Sequence, residues 1–255
     1  MSQPKRVLIT GGATGIGHAM ATAFVATGAQ VWVTDVSAQA LADCPPDWRT
    51  TQADASDEPA MVALFQDIAA QWDGLDTLCA NAGIAGPTAN IEDIALKDWR
   101  ACIAVNLDGV FLAAKYATPM MKTAGRGNIT ITSSTAGLHG YPLRAPYASA
   151  KWAVLGLMQT LAMELGPHGI RVNAICPGSV EGPRMEHVLH HEAAKKGMTR
   201  DQVYRGYAAG TSMQSWVTAE DIANMAVFLA SDAARLVSGQ TISVDGHTFN
   251  PHVTV

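Results

Sequence analysis

The chain has 255 residues, a formal net charge of −5, 48% hydrophobic residues and 15% charged ones. That length fits one medium α/β domain, or at most two small ones, and can bury a full core without disulfide staples. The negative balance gives no electrostatic case for a nucleic-acid partner or an anionic membrane surface, and the four cysteines, widely spaced with no CxxC, read as reduced, buried thiols in a reducing compartment.

Residues 1–6 are polar and leave no room for the apolar segment of a secretory signal, so the cytoplasm is the expected location. Strand-type apolar runs follow at 7–10, 31–34, 75–80, 128–132, 171–175 and 241–244, with a weaker seventh at 51–53. Between them, 16–27, 58–72, 96–122, 147–165 and 219–231 are long enough for helices; Gly28 and Gly166-Pro167 supply helix stops. This alternation predicts a single α/β domain spanning 1–255: a Rossmann-like, doubly wound parallel sheet of about seven strands with helices on both faces. The longest apolar stretch, 153–165, is broken by Gln159, Thr160 and Glu164 and falls short of a membrane span. The one irregular region is 177–216. Its middle carries His187, His190, His191, Lys195 and Lys196, with little apolar periodicity before Met213, and a surface helix or lid is expected at about 180–215. The clustered histidines have no acidic or cysteine partner at zinc spacing and read as a solvated helix face, so no metal is expected.

The first strand runs into Thr10-Gly11-Gly12-Ala13-Thr14-Gly15-Ile16-Gly17 and then directly into a helix. Gly11 suits a tight strand-to-helix turn, Gly15 lets the backbone approach a pyrophosphate, and Gly17 lets the helix pack close to the sheet. With Thr14 and Ile16 they place free N–H groups and a positive dipole end where phosphates bind. The GxxxGxG spacing is one residue longer than the common dinucleotide fingerprint, and a purely structural turn is the alternative. Asp35 closes the second strand, 18 residues beyond Gly17. A carboxylate there accepts hydrogen bonds from both adenosine ribose hydroxyls and repels a 2′-phosphate, and neither Val36 nor Ser37 supplies a cation, so NAD is favoured over NADP. The alternative for Asp35 is a solvated strand-end carboxylate.

Tyr147 and Lys151 form YxxxK at the start of a helix, on one face. Free tyrosine, with a pKa near ~10, is a poor base unless a nearby cation favours phenolate, and Lys151 one turn away can do that. Ser134 closes a strand thirteen residues earlier, and a loop with Gly137, Gly140 and Pro142 can bring it beside Tyr147. There its hydroxyl can hydrogen-bond a substrate oxygen. Asn81-Ala82-Gly83 at a strand end and Asn106 in a long helix lie further upstream.

Thr10 to Gly17, Asn81-Ala82-Gly83, Asn106, Ser134, Tyr147, Lys151 and Pro177-Gly178 stand in the order and spacing of the short-chain dehydrogenase/reductase family, which the chain resembles from residue 7 to about 246. The resemblance implies an NAD-dependent oxidoreductase that interconverts a secondary alcohol and a ketone. Tyr147 then resembles the general acid/base, Ser134 the group orienting the carbonyl, and Lys151 the lysine that lowers the tyrosine pKa and binds nicotinamide ribose. Asn106 is similar to the asparagine completing a proton relay. Asp54 and Ala55 match the segment contacting adenine, Asn81 and Gly83 the segment beside the adenosine ribose, and Pro177 and Val180 the segment meeting the carboxamide. Two departures stand out: Ala80 replaces an asparagine, and Gly182 stands where many members carry a carboxamide-binding threonine. Members of the family are commonly homotetramers, and a tetramer, or a dimer, is the implied assembly.

His139, Tyr141, Arg144, Arg184 and Met185 are the candidate substrate contacts, suited to a small polar compound such as a sugar, polyol, hydroxy acid or sulfonate, with a hydrophobic cyclic alcohol as the alternative; solvent exposure, or pairing with Glu181 or Glu186, is the alternative for the arginines. A 3-oxoacyl-thioester reductase would use the same catalytic set, and a non-catalytic cofactor-binding regulatory protein would keep only the fold.

Overall fold

The computed structural model describes residues 4–250, without the side chains of Pro183 and Arg184. Seven parallel strands form one sheet: β1 (Arg6–Thr10), β2 (Gln30–Asp35), β3 (Arg49–Gln52), β4 (Thr77–Ala80), β5 (Gly127–Thr132), β6 (Ile170–Pro177) and β7 (Thr241–Val244), in the spatial order 3-2-1-4-5-6-7. The helices are α1 (Gly15–Ala26), α2 (Ala38–Ala42), α3 (Glu58–Gln71), α4 (Leu96–Ile103), α5 (Gly109–Ala124), α6 (Ala145–Leu165), α7 (Pro183–Lys196), α8 (Arg200–Ala209) and α9 (Ala219–Ala230).

Both faces of the sheet are covered, and side-chain alternation divides the core in two. Val7 and Ile9 of β1, Val31 and Val33 of β2 and Ile175 of β6 pack with Met20 and Phe24 of α1 and Ile222 and Leu229 of α9. Leu8, Trp32, Leu78, Ile129, Ile131 and Val172 point the other way, onto Met61 and Leu64 of α3, Met121 of α5 and Met158 of α6. Each fully buried Leu, Ile or Met in these layers contributes roughly 1.5–3 kcal/mol of transfer free energy. The weak signal of β3 has a plain cause: it is an edge strand, Arg-Thr-Thr-Gln, exposed at three of its four positions. It spans 49–52 rather than the expected 51–53, and Arg49 lies over the Trp32 ring at 5.5 Å.

Two segments depart from the sequence pattern. The helix expected at 96–122 is interrupted by a π-helical turn, Ala104–Asp108, between α4 and α5. Inside that turn the Asn106 amide donates to the Cys102 carbonyl at 2.9 Å and to the Ile84 carbonyl at 3.0 Å, a side-chain bond that competes with the regular ladder. The irregular region contains two helices, α7 and α8, around a small core of Leu189, Ala193 and Val203. Its helical period was present in Met185, Val188, Leu189 and Ala193 (i, i+3, i+4, i+8) beneath the surrounding histidines and lysines. No helix among the described residues is long and apolar enough to cross a membrane.

Candidate active site

The chain runs outward from β1 through β2 to β3 and then returns to the other side of β1 with β4. At such a switch point the loops beyond neighbouring strand ends diverge and open a crevice. Divergence also strips partners from backbone carbonyls, and Asn81 supplies them. Its amide donates to the Thr10 carbonyl at 3.2 Å and the Gly11 carbonyl at 3.1 Å, while its Oδ1 accepts from Thr132 Oγ1 at 3.1 Å. One side chain thus ties the ends of β1, β4 and β5.

The crevice is a cleft of about 750 Å³ that runs from the glycine-rich turn, past Asp35 and Asp54, to Ser134, Tyr147 and Lys151. Gly11 and Gly15 both take left-handed backbone, at φ 60° and 53°, and around Gly15 the space is open. A Cβ on Gly17 would overlap the Gly11 carbonyl oxygen, so α1 starts directly against the turn. Thr14 caps α1 with extended backbone and no side-chain cap, leaving the first N–H groups of the helix for a ligand. Ile16 is half-buried against the core beneath. Asp35 accepts from the Ala13 N–H at 3.3 Å and the Ser37 N–H at 3.1 Å. Exposed Asp54 accepts from Ser56, and Ala55 is buried. This open, glycine-lined cradle on a helix N-terminus, with carboxylates at one end, fits a dinucleotide.

At the other end, Lys151 is buried, its Nζ donating to the Thr132 carbonyl at 2.8 Å, and its own carbonyl accepts from Ser133 Oγ at 2.8 Å. Its ammonium lies 5.7 Å from the Tyr147 ring centroid. Ser134 Oγ accepts from the Ala136 N–H at 3.1 Å. Asn106 is fully buried and its Oδ1 meets no donor among the described residues. A Cβ on Gly83 would come within 2.7 Å of that oxygen, so this glycine admits Asn106 next to Lys151. Gly178, which follows Pro177, packs on Asp245, and Val180 bridges to Val217. Gly182 adopts φ 143°, a backbone that a threonine would occupy only with strain, so the departure at this position follows from the local turn.

Of the expected substrate contacts, Tyr141 and Arg144 line the cleft. His139 is not among its lining residues; its N–H donates to the Thr135 carbonyl at 3.0 Å. The side chain of Arg184 lies outside the described residues. Glu181 and Glu186 do not pair with Arg144; Glu181 accepts from Tyr204 at 2.8 Å and Glu186 pairs with Arg200. The sequence-level candidate Met185 also lines the cleft; the sequence reading missed Ile84, Val188 and Tyr207, which share the substrate end with it. Tyr207 donates to Glu192 at 2.6 Å, and burial followed by the Glu192 charge pushes its phenol well up. Burial also raises Tyr141. Three residues after Tyr204 in a polar stretch, and 60 residues beyond Tyr147, Tyr207 had no distinguishing signal in the sequence.

A family model described as enoyl-(acyl carrier protein) reductase matches residues 11–247. A short-chain dehydrogenase/reductase of Armillaria gallica is 35% identical, with 96% of each chain covered. The chain belongs to the short-chain dehydrogenase/reductase family. Cis-4-hydroxycyclohexanecarboxylate dehydrogenase of Sinomonas cyclohexanicum, a relative in this family, is 36% identical over 94% of each chain. Among solved structures, NAD⁺-bound xylitol dehydrogenase superimposes with a TM-score of 0.90 at 27% identity, covering 95% of this chain and 98% of that one. This member of the family is thus an oxidoreductase with a nicotinamide-dinucleotide cleft and the Rossmann-like sheet of its relatives.

Proposed function

We propose that the chain oxidises the secondary alcohol of a small polar compound to a ketone, or runs the reverse reaction, with NAD as the preferred cofactor. The observation that carries this reading is the convergence of Ser134, Tyr147 and Lys151 on one cleft whose far end is lined by Asp35. A bound nicotinamide ring supplies the hydride-accepting carbon. Tyr147 moves the hydroxyl proton, and Lys151, fixed by the Thr132 carbonyl, favours its phenolate form. Ser134 orients the substrate oxygen, and Asn106 continues the proton path from Lys151. The N–H groups at Thr14, Gly15 and Ile16 hold the pyrophosphate, Asp35 the adenosine ribose, and Ser179 with the backbone at Val180 the carboxamide. The pair α7 and α8 closes over the substrate end as a lid. We place the chain in the cytoplasm, where its four free cysteines stay reduced.

A panel of sugars, polyols and hydroxy acids, followed by the absorbance of reduced nicotinamide, tests this reading. With an active substrate, kcat/KM should be higher with NAD than with NADP by at least ~2 kcal/mol, or about 30-fold, because a 2′-phosphate would face Asp35. Equal efficiency with NADP would refute the cofactor assignment.

A further inference from the structure

We propose that Arg144 anchors a carboxylate on the substrate, so that the chain acts on hydroxy acids in preference to neutral alcohols; this rests on the dehydrogenase reading above. A guanidinium stays charged at any physiological pH, and burying it without a counter-charge is costly. Arg144 is half-buried in the cleft wall, and none of the ion pairs among the described residues includes it. Its Nη2 donates to the Ala85 carbonyl at 3.0 Å, its Nε is buried and meets no acceptor among the described residues, and its guanidinium carbon sits 5.0 Å from the Tyr147 ring centroid.

The neighbouring groups among the described residues leave that charge without a carboxylate partner. Tyr141 and Tyr207 share this wall, and burial raises both phenols, so they present neutral hydroxyls rather than phenolates. Glu192 accepts from Tyr207 and is matched by Lys196 at 2.6 Å. Exposed Glu181 accepts from Tyr204 at the rim. The backbone also holds Arg144 in place. Leu143 immediately before it takes φ 67°, an uncommon conformation for leucine, and its carbonyl accepts from the Ala89 N–H at 3.0 Å. Strain of this kind persists where surrounding structure over-determines it. Among the described residues, Arg144 therefore stands beside the tyrosine at the substrate end with no carboxylate paired to it, and Ile84, Met185 and Val188 form an apolar wall for the carbon skeleton between carboxylate and hydroxyl.

The test compares 4-hydroxycyclohexanecarboxylate and 3-hydroxybutyrate with their uncharged carboxamides, using full-length NAD-loaded protein. The wild-type acid-to-amide ratio of kcat/KM should be roughly 30 or more, the range for losing one partner of a buried charge pair. Arg144→Gln should collapse the ratio towards one by raising KM for the acid, and Arg144→Lys, which keeps the charge without the fork, should restore part of it. Cyclohexanecarboxylate, which lacks the reacting hydroxyl, should bind the wild-type NAD complex by calorimetry and bind Arg144→Gln at least tenfold more weakly. A wild-type ratio near one overturns the proposal without any variant, as does a ratio that Arg144→Gln leaves unchanged. If no secondary alcohol is oxidised, the dehydrogenase reading falls instead, and the calorimetric arm still decides whether Arg144 holds a carboxylate.

Discussion

Tyr147 lies in the first turn of α6, with the Arg144 guanidinium 5.0 Å and the Lys151 ammonium 5.7 Å from its ring centroid. Tyr147→Phe keeps the ring that both cations face and removes only the hydroxyl. It should lower kcat by about 10² or more while NADH still binds, judged by nicotinamide fluorescence. Near wild-type turnover in this variant would place the proton transfer elsewhere. At this scale the sequence was readable wherever a short spacing fixes a geometry, as it does for Tyr147 and Lys151 on one helix face or for Gly11, Gly15 and Gly17 in one turn. It was blind where partners come from distant segments. Nothing in the string says that Asn81 would tie three strand ends or that Tyr207 would reach the cleft from α8, because those contacts depend on how separate elements are laid together.

At the scale of elements, the opposite end of the sheet is held by Asp76, just ahead of β4. It accepts from the Arg6 N–H at 3.0 Å and Arg6 Nε at 2.9 Å, and from Arg126 Nη2 at 3.3 Å, joining the starts of β1 and β4 to the loop before β5. Burial alone would raise its carboxyl, but the Arg6 donors and the charges of Arg6 and Arg126 more than offset this and hold it below the usual range. A depressed carboxyl contributes stability above its unfolded value near ~4, and that contribution is lost as the pH falls through the folded value. Asp76→Asn should therefore lower Tm by about 4 °C at pH 7, the equivalent of roughly 1–2 kcal/mol in a chain this long. The gap should begin to narrow below about pH 4 and go on narrowing as the pH falls through the folded value, and a gap that stays constant down to acid unfolding would show that the charge is not its source. An uninterrupted helix was the natural reading of 96–122 because its apolar content carries no break, whereas the π-helical turn arises from the Asn106 side chain reaching Ile84, a residue on another segment.

For the whole molecule, α5 and α6 leave Phe111, Trp152 and Met163 exposed at 48%, 52% and 82%, more apolar surface than an isolated pair of surface helices needs. We propose that copies of this chain pack through these helices into a tetramer. Light scattering at micromolar concentration should return about four times the mass of one chain, and Trp152→Glu should reduce it; a monomeric wild type would refute the assembly. In the same sample, amides of α7 and α8 should exchange faster than those of β4 to β6 and gain protection when NAD and substrate bind, as a closing lid requires. Equal exchange with and without ligand would leave these helices a fixed wall. The sequence by itself determined the alternating α/β architecture, the phosphate turn and the Ser134, Tyr147 and Lys151 set, because periodicity and short spacings are local quantities that survive in a one-dimensional string. Only the tertiary structure decided that β3 and β7 are the edges, that Tyr207 and not His139 lines the cleft, and that Arg144 has no ion-pair partner among the described residues. Those outcomes depend on which distant groups are brought close and which are kept apart, and burial and electrostatics act through that three-dimensional proximity.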